Sequence, residues 1–407
     1  MNITRCLPWV QACVNKTENG DSLPSDVIAD ILSRLPAERI HHLIRPTPYF
    51  VDMHLHRATP VIAFHWYSMY PVSAALSRAK PKWKIIMNFT DEKVKKIVSK
   101  SIKFELSSPD HSRYAMPRVY SSCNGFLLIK KSLKNSNVLI WNPVTGQEFI
   151  VIMKRTTEPI FYSVCGFFFH PKAGEYRVIF IEEEGGFFKF SVLSLATKLL
   201  RLIPGDVSHP PDVNRAPTVF NGALHWMVND QEYRRLFEVW PDCSHSILIF
   251  NIDREEFSTM PHPGSQCGSS ERRHYCMGLL EIKGCLCFSD NSSSDLLLDI
   301  WILEDSIKQV WTKRHVVHIA PIKFSCKVVY GRQHRWWNEA EVEAIQVYGD
   351  KLLLRVYHRN LFLYDLRLGT FVRVGRPCLT SGTRVGALAQ INSLASLNID
   401  GAMTLSP

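Results

Sequence analysis

From Val61 to Pro377 the hydrophobic positions come in short alternating stretches cut by Gly, Pro, Asn and Asp. Alternation at period two between turn residues predicts strands rather than helices. One element, a tight turn entering a strand, recurs as Cys123-Asn124-Gly125-Phe126-Leu127-Leu128 and as Phe220-Asn221-Gly222-Ala223-Leu224-His225-Trp226. It returns as Ile282-Lys283-Gly284-Cys285-Leu286-Cys287-Phe288 and as Tyr348-Gly349-Asp350-Lys351-Leu352-Leu353-Leu354. Such dipeptides suit hairpin turns, which need positive φ. A second element is an apolar strand, an Asn or Asp, a turn and another strand, as at Trp141-Asn142-Pro143-Val144-Thr145-Gly146, Phe250-Asn251-Ile252-Asp253 and Tyr364-Asp365-Leu366-Arg367-Leu368-Gly369. There the Asn or Asp side chain can cap the turn while Gly supplies a left-handed residue. Two further units centre on Gly166 to Val178 and on Leu298 to Lys313, and a sixth can come from Val61 to Pro117. The prediction is a mainly β, repeat-built domain over 59–377, with a C-terminal tail over 378–407.

Ahead of it the pattern changes. In Asp21 to Pro36, Ile28, Ile31, Leu32 and Leu35 fall at i, i+3, i+4 and i+7, one face of a helix. Pro24 suits its first turn, Asp26 the positive end of its dipole, and Pro36 stops it. A helix of roughly ten residues is too short to persist alone and needs a surface to pack on. Residues 1–20 read as a flexible tail and 21–58 as the helical motif.

The residues Leu23-Pro24, Val27-Ile28, Ile31-Leu32 and Arg34-Leu35-Pro36 resemble the opening of an F-box, and Pro48 to Val51 with His54 to Ala58 resemble the way plant F-boxes end. Between Arg39-Ile40 and Leu43-Ile44 the chain is shorter than the family pattern by about fifteen residues, one helix and its turn. The β region resembles the F-box-associated interaction domain of plant F-box proteins. The motifs that carry this are Ser122 to Phe126, Trp141 to Pro143, Asn221 to Trp226 and Asp299 to Trp301, in register. Units spaced roughly 50 to 60 residues apart lie near the ~50 of kelch-type propeller blades. The resemblance therefore implies a kelch-like β-propeller preceded by a short, truncated helical F-box. Blades bury both faces only by stacking around an axis, so Trp141, Trp226, Trp301 and Trp311 are expected between blades and function in the loops at one end.

Composition narrows the classes. Hydrophobic residues at 46% and charged residues at 21% describe an ordinary globular chain. No apolar run is long enough to span a bilayer, and Met1 to Gly20 lacks the apolar core of a secretory signal. Eleven cysteines, an odd number with no repeated spacing, read as reduced thiols, which points to cytoplasm or nucleus. The net charge of +10 is spread over loose basic groups rather than one dense stripe, so a phosphate track is not indicated. Cys267, His274 and Cys276 lie close in sequence, but without Cys-x-x-Cys or a matched His pair the expected metal and cofactor content is none. No nucleophile elbow or phosphate-cradling loop is present, so no catalytic residue is assigned.

The resemblance implies a non-catalytic substrate-recognition subunit of a Skp–cullin–F-box ubiquitin ligase. Its partners would be a Skp-type adaptor, the cullin and a target protein, with Leu23, Pro24, Ile28, Ile31, Leu32, Leu35 and Pro36 touching the adaptor. The alternative is an interaction domain that lost ligase docking with the missing helix. Arg335, Trp336 and Trp337 combine residue types that dominate protein-binding hot spots and are the candidate target contacts.

Overall fold

The computed structural model describes residues 25–41, 47–58, 61–70, 82–91, 96–105, 118–130, 137–153, 163–264, 267, 274–292, 294, 296–330, 342–356, 360–374, 385–397 and 401–405. Arg335, Trp336 and Trp337 lie outside them, as do Leu23 and Pro24.

Among the described residues the strands form six sheets, four of them simple meanders and two that gain a strand from the end of the chain. Blade 1 holds β1 (Val61–Tyr70), β2 (Lys82–Asp91) and β3 (Lys96–Glu105). Blade 2 holds β4 (Arg118–Cys123), β5 (Phe126–Lys130), β6 (Val138–Trp141) and β7 (Glu148–Met153). Blade 3 holds β8 (Ser163–His170), β9 (Glu175–Glu184), β10 (Phe187–Ser194) and β11 (Leu200–Leu202). Blade 4 holds β12 (Thr218–Phe220), β13 (Ala223–Met227), β14 (Ile247–Asn251) and β15 (Glu256–Met260). Blade 5 holds β16 (Met277–Ile282), β17 (Cys285–Asp290), β18 (Leu297–Asp305) and β19 (Val310–His318). Blade 6 holds β20 (Val342–Tyr348), β21 (Lys351–Val356), β22 (Asn360–Asp365) and β23 (Phe371–Val374).

Six apolar seams carry the chain round a closed ring. Trp141 packs with Val61 and Ala63 between blades 1 and 2. Phe126 and Phe180 join blades 2 and 3, and Phe190, Trp226 and Phe250 join blades 3 and 4. Ile247 and Phe288, flanked by Trp301 and Trp311, join blades 4 and 5. Leu280 and Leu354 join blades 5 and 6, and Leu353 with Ile62 joins blade 6 back to blade 1. The four tryptophans thus sit at seams as their spacing predicted. Trp226 also donates its indole N–H across its seam to the Cys165 carbonyl at 2.7 Å, which satisfies a polar atom that burial would otherwise penalise.

The turn chemistry is as read. Asn124 and Gly125, Asn221 and Gly222, and Lys283 and Gly284 all hold positive φ. Oδ1 of Asn142 accepts from Val144 N and Thr145 N, and Asn251 and Asp365 cap their own turns in the same way.

The end of the chain departs from the expectation. Residues 385–405 are not a tail: β24 (Val385–Gln390) pairs antiparallel with β1 as the innermost strand of blade 1, and β25 (Gly401–Leu405) pairs parallel with the outer edge of β7. The link between them is tied to blade 2. Asn142 Nδ2 donates to the carbonyls of Ser393 and Ala395 at 3.1 and 2.9 Å, and Gln390 Nε2 donates to that of Gly125 at 2.7 Å. Two helices within the β region were also not foreseen, α4 (Asp230–Phe237) and α5 (Ala320–Tyr330); Asn229 caps the first by accepting from Glu232 N at 3.1 Å. They follow three in the N-terminal unit, α1 (Ser25–Ser33), α2 (Ala37–Ile40) and α3 (Pro48–Arg57).

Gly125 carries two constraints at once. Its φ is +93°, and a Cβ there would sit 2.3 Å from Cβ of Ser393. Gly222 has φ of +68° but open space around the same position. Gly222→Ala should therefore cost only the left-handed backbone, about 1–2 kcal/mol. Gly125→Ala adds the clash and should cost about 2–5 kcal/mol in all. Urea unfolding of the two variants measures the difference; equal costs would mean that the link does not lie against Gly125.

Candidate functional site

The helical unit is short, so its side chains must find a floor elsewhere. Leu32 is buried among Ala37, Ile40 and Phe50 of its own unit and against Val144 and Leu394 of the propeller. The expected helix face is therefore split. Leu32, expected at the adaptor surface, instead points inward at 5% exposure and is a packing residue, because Val144 and Leu394 of the propeller lie against it. Leu35 falls beyond α1, in the turn after it, and is 37% exposed; Pro36 is exposed beside it, Ile31 is half-buried, and Tyr49 is 69% exposed. Ile28 lies in α1, with its side chain outside the described set.

Polar contacts lock the unit together. Arg57 on α3 reaches α1, 2.6 Å from Asp30 Oδ1, and donates to Ser33 Oγ at 2.5 Å. The Arg57 guanidinium, with Arg34 beside it, holds the Asp30 carboxyl below the usual carboxylate range. His54 donates from Nε2 to the Leu35 carbonyl at 3.0 Å, fixing the turn that presents Leu35. Asn392 in the link donates to Glu38 on α2, so helices, link and blade 2 form one body.

A second cluster lies where the innermost strands begin. Tyr120 places its hydroxyl 2.8 Å from the Cys165 carbonyl and 2.9 Å from that of Arg215, spanning three blades. Lys130, paired opposite Arg118 in the β4–β5 ladder, donates from Nζ to the Val213 carbonyl at 2.9 Å and stands 3.8 Å over the Tyr120 ring. Arg215 donates to the carbonyls of Met277 and Tyr275 and lies 3.4 Å from Glu343, which also accepts from Arg355.

The electrostatics follow from this crowding. Burial opposes ionisation of Glu343, yet Arg355 and Arg215 outweigh it and hold the carboxyl down at about 2. Burial, helped by Arg355 and Arg118, lowers His65 to about 3, so it is neutral. Burial likewise lowers Lys130 to about 7, with Arg118 adding to it. A perturbed amine can mark a reactive group, but Lys130 is 5% exposed and its head is already engaged by a carbonyl and a ring. Burial pushes the Cys165 thiol and the Tyr120 phenol up, away from nucleophilic use. The cluster's chemistry is that of a tie between blades.

Strand alternation fixes which end is which. The β4–β5 and β6–β7 turns, the link and the helical unit lie at one face of the ring; the Tyr120–Lys130–Arg215–Glu343 cluster lies at the other, the entry face. At the helical face a shallow groove of about 480 Å³ is lined by Glu281, Lys283, Asp350 and Arg367, with Asp350 held by Lys283 at 2.7 Å and Arg367 at 3.0 Å.

Residues 73–333 match the family model described as the F-box associated beta propeller domain. An F-box protein of Arabidopsis thaliana is 25% identical over 393 residues, covering 86% of this chain and 87% of its own. A second from the same plant is 23% identical over 338 residues, 76% of this chain and 66% of its own. Among solved structures, an oligogalacturonate lyase in complex with manganese superposes with a TM-score of 0.37 at 9% identity, over 78% of this chain and 86% of that one.

The sign of the Lys130 shift gives a prediction. The folded chain releases this proton near pH 7 and the unfolded chain near 10.4. Between those values the unfolded state holds more protons, so this group makes stability rise with pH by up to about 1.4 kcal/mol per unit. Lys130→Met removes that contribution: its stability relative to the parent should fall steadily from pH 7 to 10, as read by urea unfolding. Parallel curves would show that Lys130 keeps an ordinary pKa.

Proposed function

Because the chain belongs to the F-box-associated β-propeller family, we propose that it is the substrate-recognition subunit of a Skp–cullin–F-box ubiquitin ligase. It acts in the cytoplasm or nucleus and performs no bond chemistry of its own. The adaptor meets the helical unit and a target protein meets the entry face. The subunit raises the local concentration of target near the transferring enzyme, the effect of joining two binding events in one molecule. The observation that carries this reading is the family match over most of the β region together with a packed helical unit ahead of it.

The location of the helices supports the division of labour. Because α1 to α3 are fixed to blade 2 and the link rather than tethered loosely, adaptor and target would be held in a set orientation. The candidate adaptor surface among the described residues is Leu35 and Pro36, with Ile31 at its edge and Tyr49 also exposed on the same unit.

A second reading has a specific observation behind it. The missing helix is compensated by the propeller, since Val144 and Leu394 fill the space against Leu32. A unit so used as a cap on blade 2 would persist as structure after losing its adaptor, leaving an interaction domain that competes with complete relatives.

Pull-down of the full chain with a Skp-type adaptor separates the two, with capture expected for the first and none for the second. Leu35→Asp should weaken capture by about tenfold or more, as for a hot-spot apolar contact, while shifting the melting temperature little. Leu32→Ala should instead cost about 2–4 kcal/mol of stability. Capture unaffected by Leu35→Asp would remove this surface from the proposal.

A further inference from the structure

Four side chains distant in sequence converge at the seam between blades 4 and 5. Cys243 lies in the β13–β14 connection, His262 and Cys267 in the β15–β16 connection, and His274 at the entry to β16. One ligand atom from each lies within 4.8 Å of all the others. Cys243, His262 and His274 are buried and Cys267 is half-buried.

Three of the six pairwise distances fall where a common tetrahedral centre would put them. Zinc bonds thiolate at about 2.3 Å and imidazole at about 2.0–2.1 Å, so tetrahedral edges between these atoms fall at roughly 3.3–3.8 Å. Here His274 Nε2 is 3.3 Å from Cys267 Sγ and 3.8 Å from Cys243 Sγ, and His262 Nε2 is 3.6 Å from Cys267 Sγ.

The surroundings orient both rings for the same task. His262 donates from Nδ1 to the Pro263 carbonyl at 2.8 Å, and His274 Nδ1 lies 2.7 Å from Oδ2 of the buried Asp230. His262 is held by that hydrogen bond and His274 Nδ1 faces a buried carboxylate, so both imidazoles turn Nε2 toward the centre, as when outer partners orient metal-binding histidines. The His262 ring stacks on Phe288 at 5.7 Å, and Met227, Ile247, Met260 and Met277 close the apolar wall. Four protein ligands with no open position describe a structural site, not a catalytic one.

We propose that Cys243, His262, Cys267 and His274 bind one structural zinc ion that staples blade 4 to blade 5 at the entry face. Binding requires both thiols to give up their protons to solvent and involves no redox change. The expected absence of metal is thereby replaced, and Cys276, close in sequence, is not among the four. The site ties the connection that carries His262 and Cys267 to α4, which supplies Asp230.

The test uses the full chain purified under reducing conditions with zinc in the medium. Elemental analysis should find about one equivalent of zinc, and cobalt loaded in its place should give the strong visible bands of tetrahedral thiolate coordination. Cys243→Ser and Cys267→Ser should each lose most of the metal, whereas Cys287→Ser, a buried thiol outside the cluster, should keep it. Stripping the parent with a chelator should lower its melting temperature by roughly 5–10 °C, reversibly on re-adding zinc, because a ligand bound only by the folded state stabilises it. If a variant fails to fold, the cobalt spectrum of the parent still decides. Reduced parent protein with less than about a tenth of an equivalent of zinc and no cobalt spectrum would overturn the proposal. So would zinc retained equally by Cys243→Ser, or a Cys243–Cys267 disulfide in the freshly purified chain.

Discussion

A ring of sheets has one weak place, the point where its two ends meet, and here the join is made by pairing β24 with β1. Ladder hydrogen bonds from Val61↔Gln390 to Trp66↔Val385 convert two ends of a chain into adjacent strands of one blade. Without them Ile62 would face no Leu353, and the seam between blades 6 and 1 would open. The contact spans some 320 residues of chain, so the loop-closure entropy is high and must be met by cooperative burial elsewhere. That burial is supplied by the link: Asn142, already capping its own turn through Oδ1, spends both Nδ2 hydrogens on link carbonyls, and Gly125 yields the space for Ser393.

This also explains which parts of the molecule were legible in sequence. Turns are local events: Asn124-Gly125 or Asn221-Gly222 require positive φ wherever they occur, so dipeptides locate hairpins and hairpins locate blades. Tryptophans at seams follow from the repeat motifs that carry them, since blades bury both faces only by stacking. Closure is not local. Val385 to Gln390 reads as apolar residues after a polar stretch, and nothing in those residues names β1 as the partner. The helix face at Leu32 and Leu35 was correctly apolar, but period could not say which side meets the propeller, because the floor, Val144 and Leu394, comes from elsewhere in the chain. The cysteine and histidine cluster was hidden for the same reason. Its members are separated by 18, 4 and 6 residues, intervals no compact metal motif shares, and only the stacking of two blades makes them neighbours.

Charge is handled at the entry face by crowding rather than by exposure. Arg118, Arg215 and Arg355 gather near the buried Glu343, with Asp212 3.7 Å from Arg215 and Lys130 opposite Arg118, an excess of basic groups that burial penalises. The structure offsets this with backbone carbonyls: those of Val213, Met277 and Tyr275 accept from Lys130 and Arg215. Each carbonyl belongs to a connection or strand entry of a neighbouring blade, so the same bonds that neutralise the cations hold the blades in register. Dispersing the ties over several blades makes the face rigid at its centre while leaving the outer connections to vary.

The two faces of the ring then have different physics, and the proposed function divides along that line. The helical face is built from covered apolar contacts, Leu32 on Val144 and Leu394, and is braced by the closing link; what remains outward there is a compact patch around Leu35. The entry face carries connections between blades, including the one that brings His262 and Cys267 together. A recognition surface needs connections long enough to vary and anchors stiff enough to hold them, because binding free energy is lost whenever loops must be ordered on contact. The carbonyl-bound basic groups at the centre of that face fix the bases of those connections in advance, and the zinc proposed at Cys243, His262, Cys267 and His274 would add a second staple. The helical face needs none, since its partner would meet helices already packed. Stiffening on one side and a packed helical unit on the other are what the proposed role, holding two partners in fixed orientation, would require.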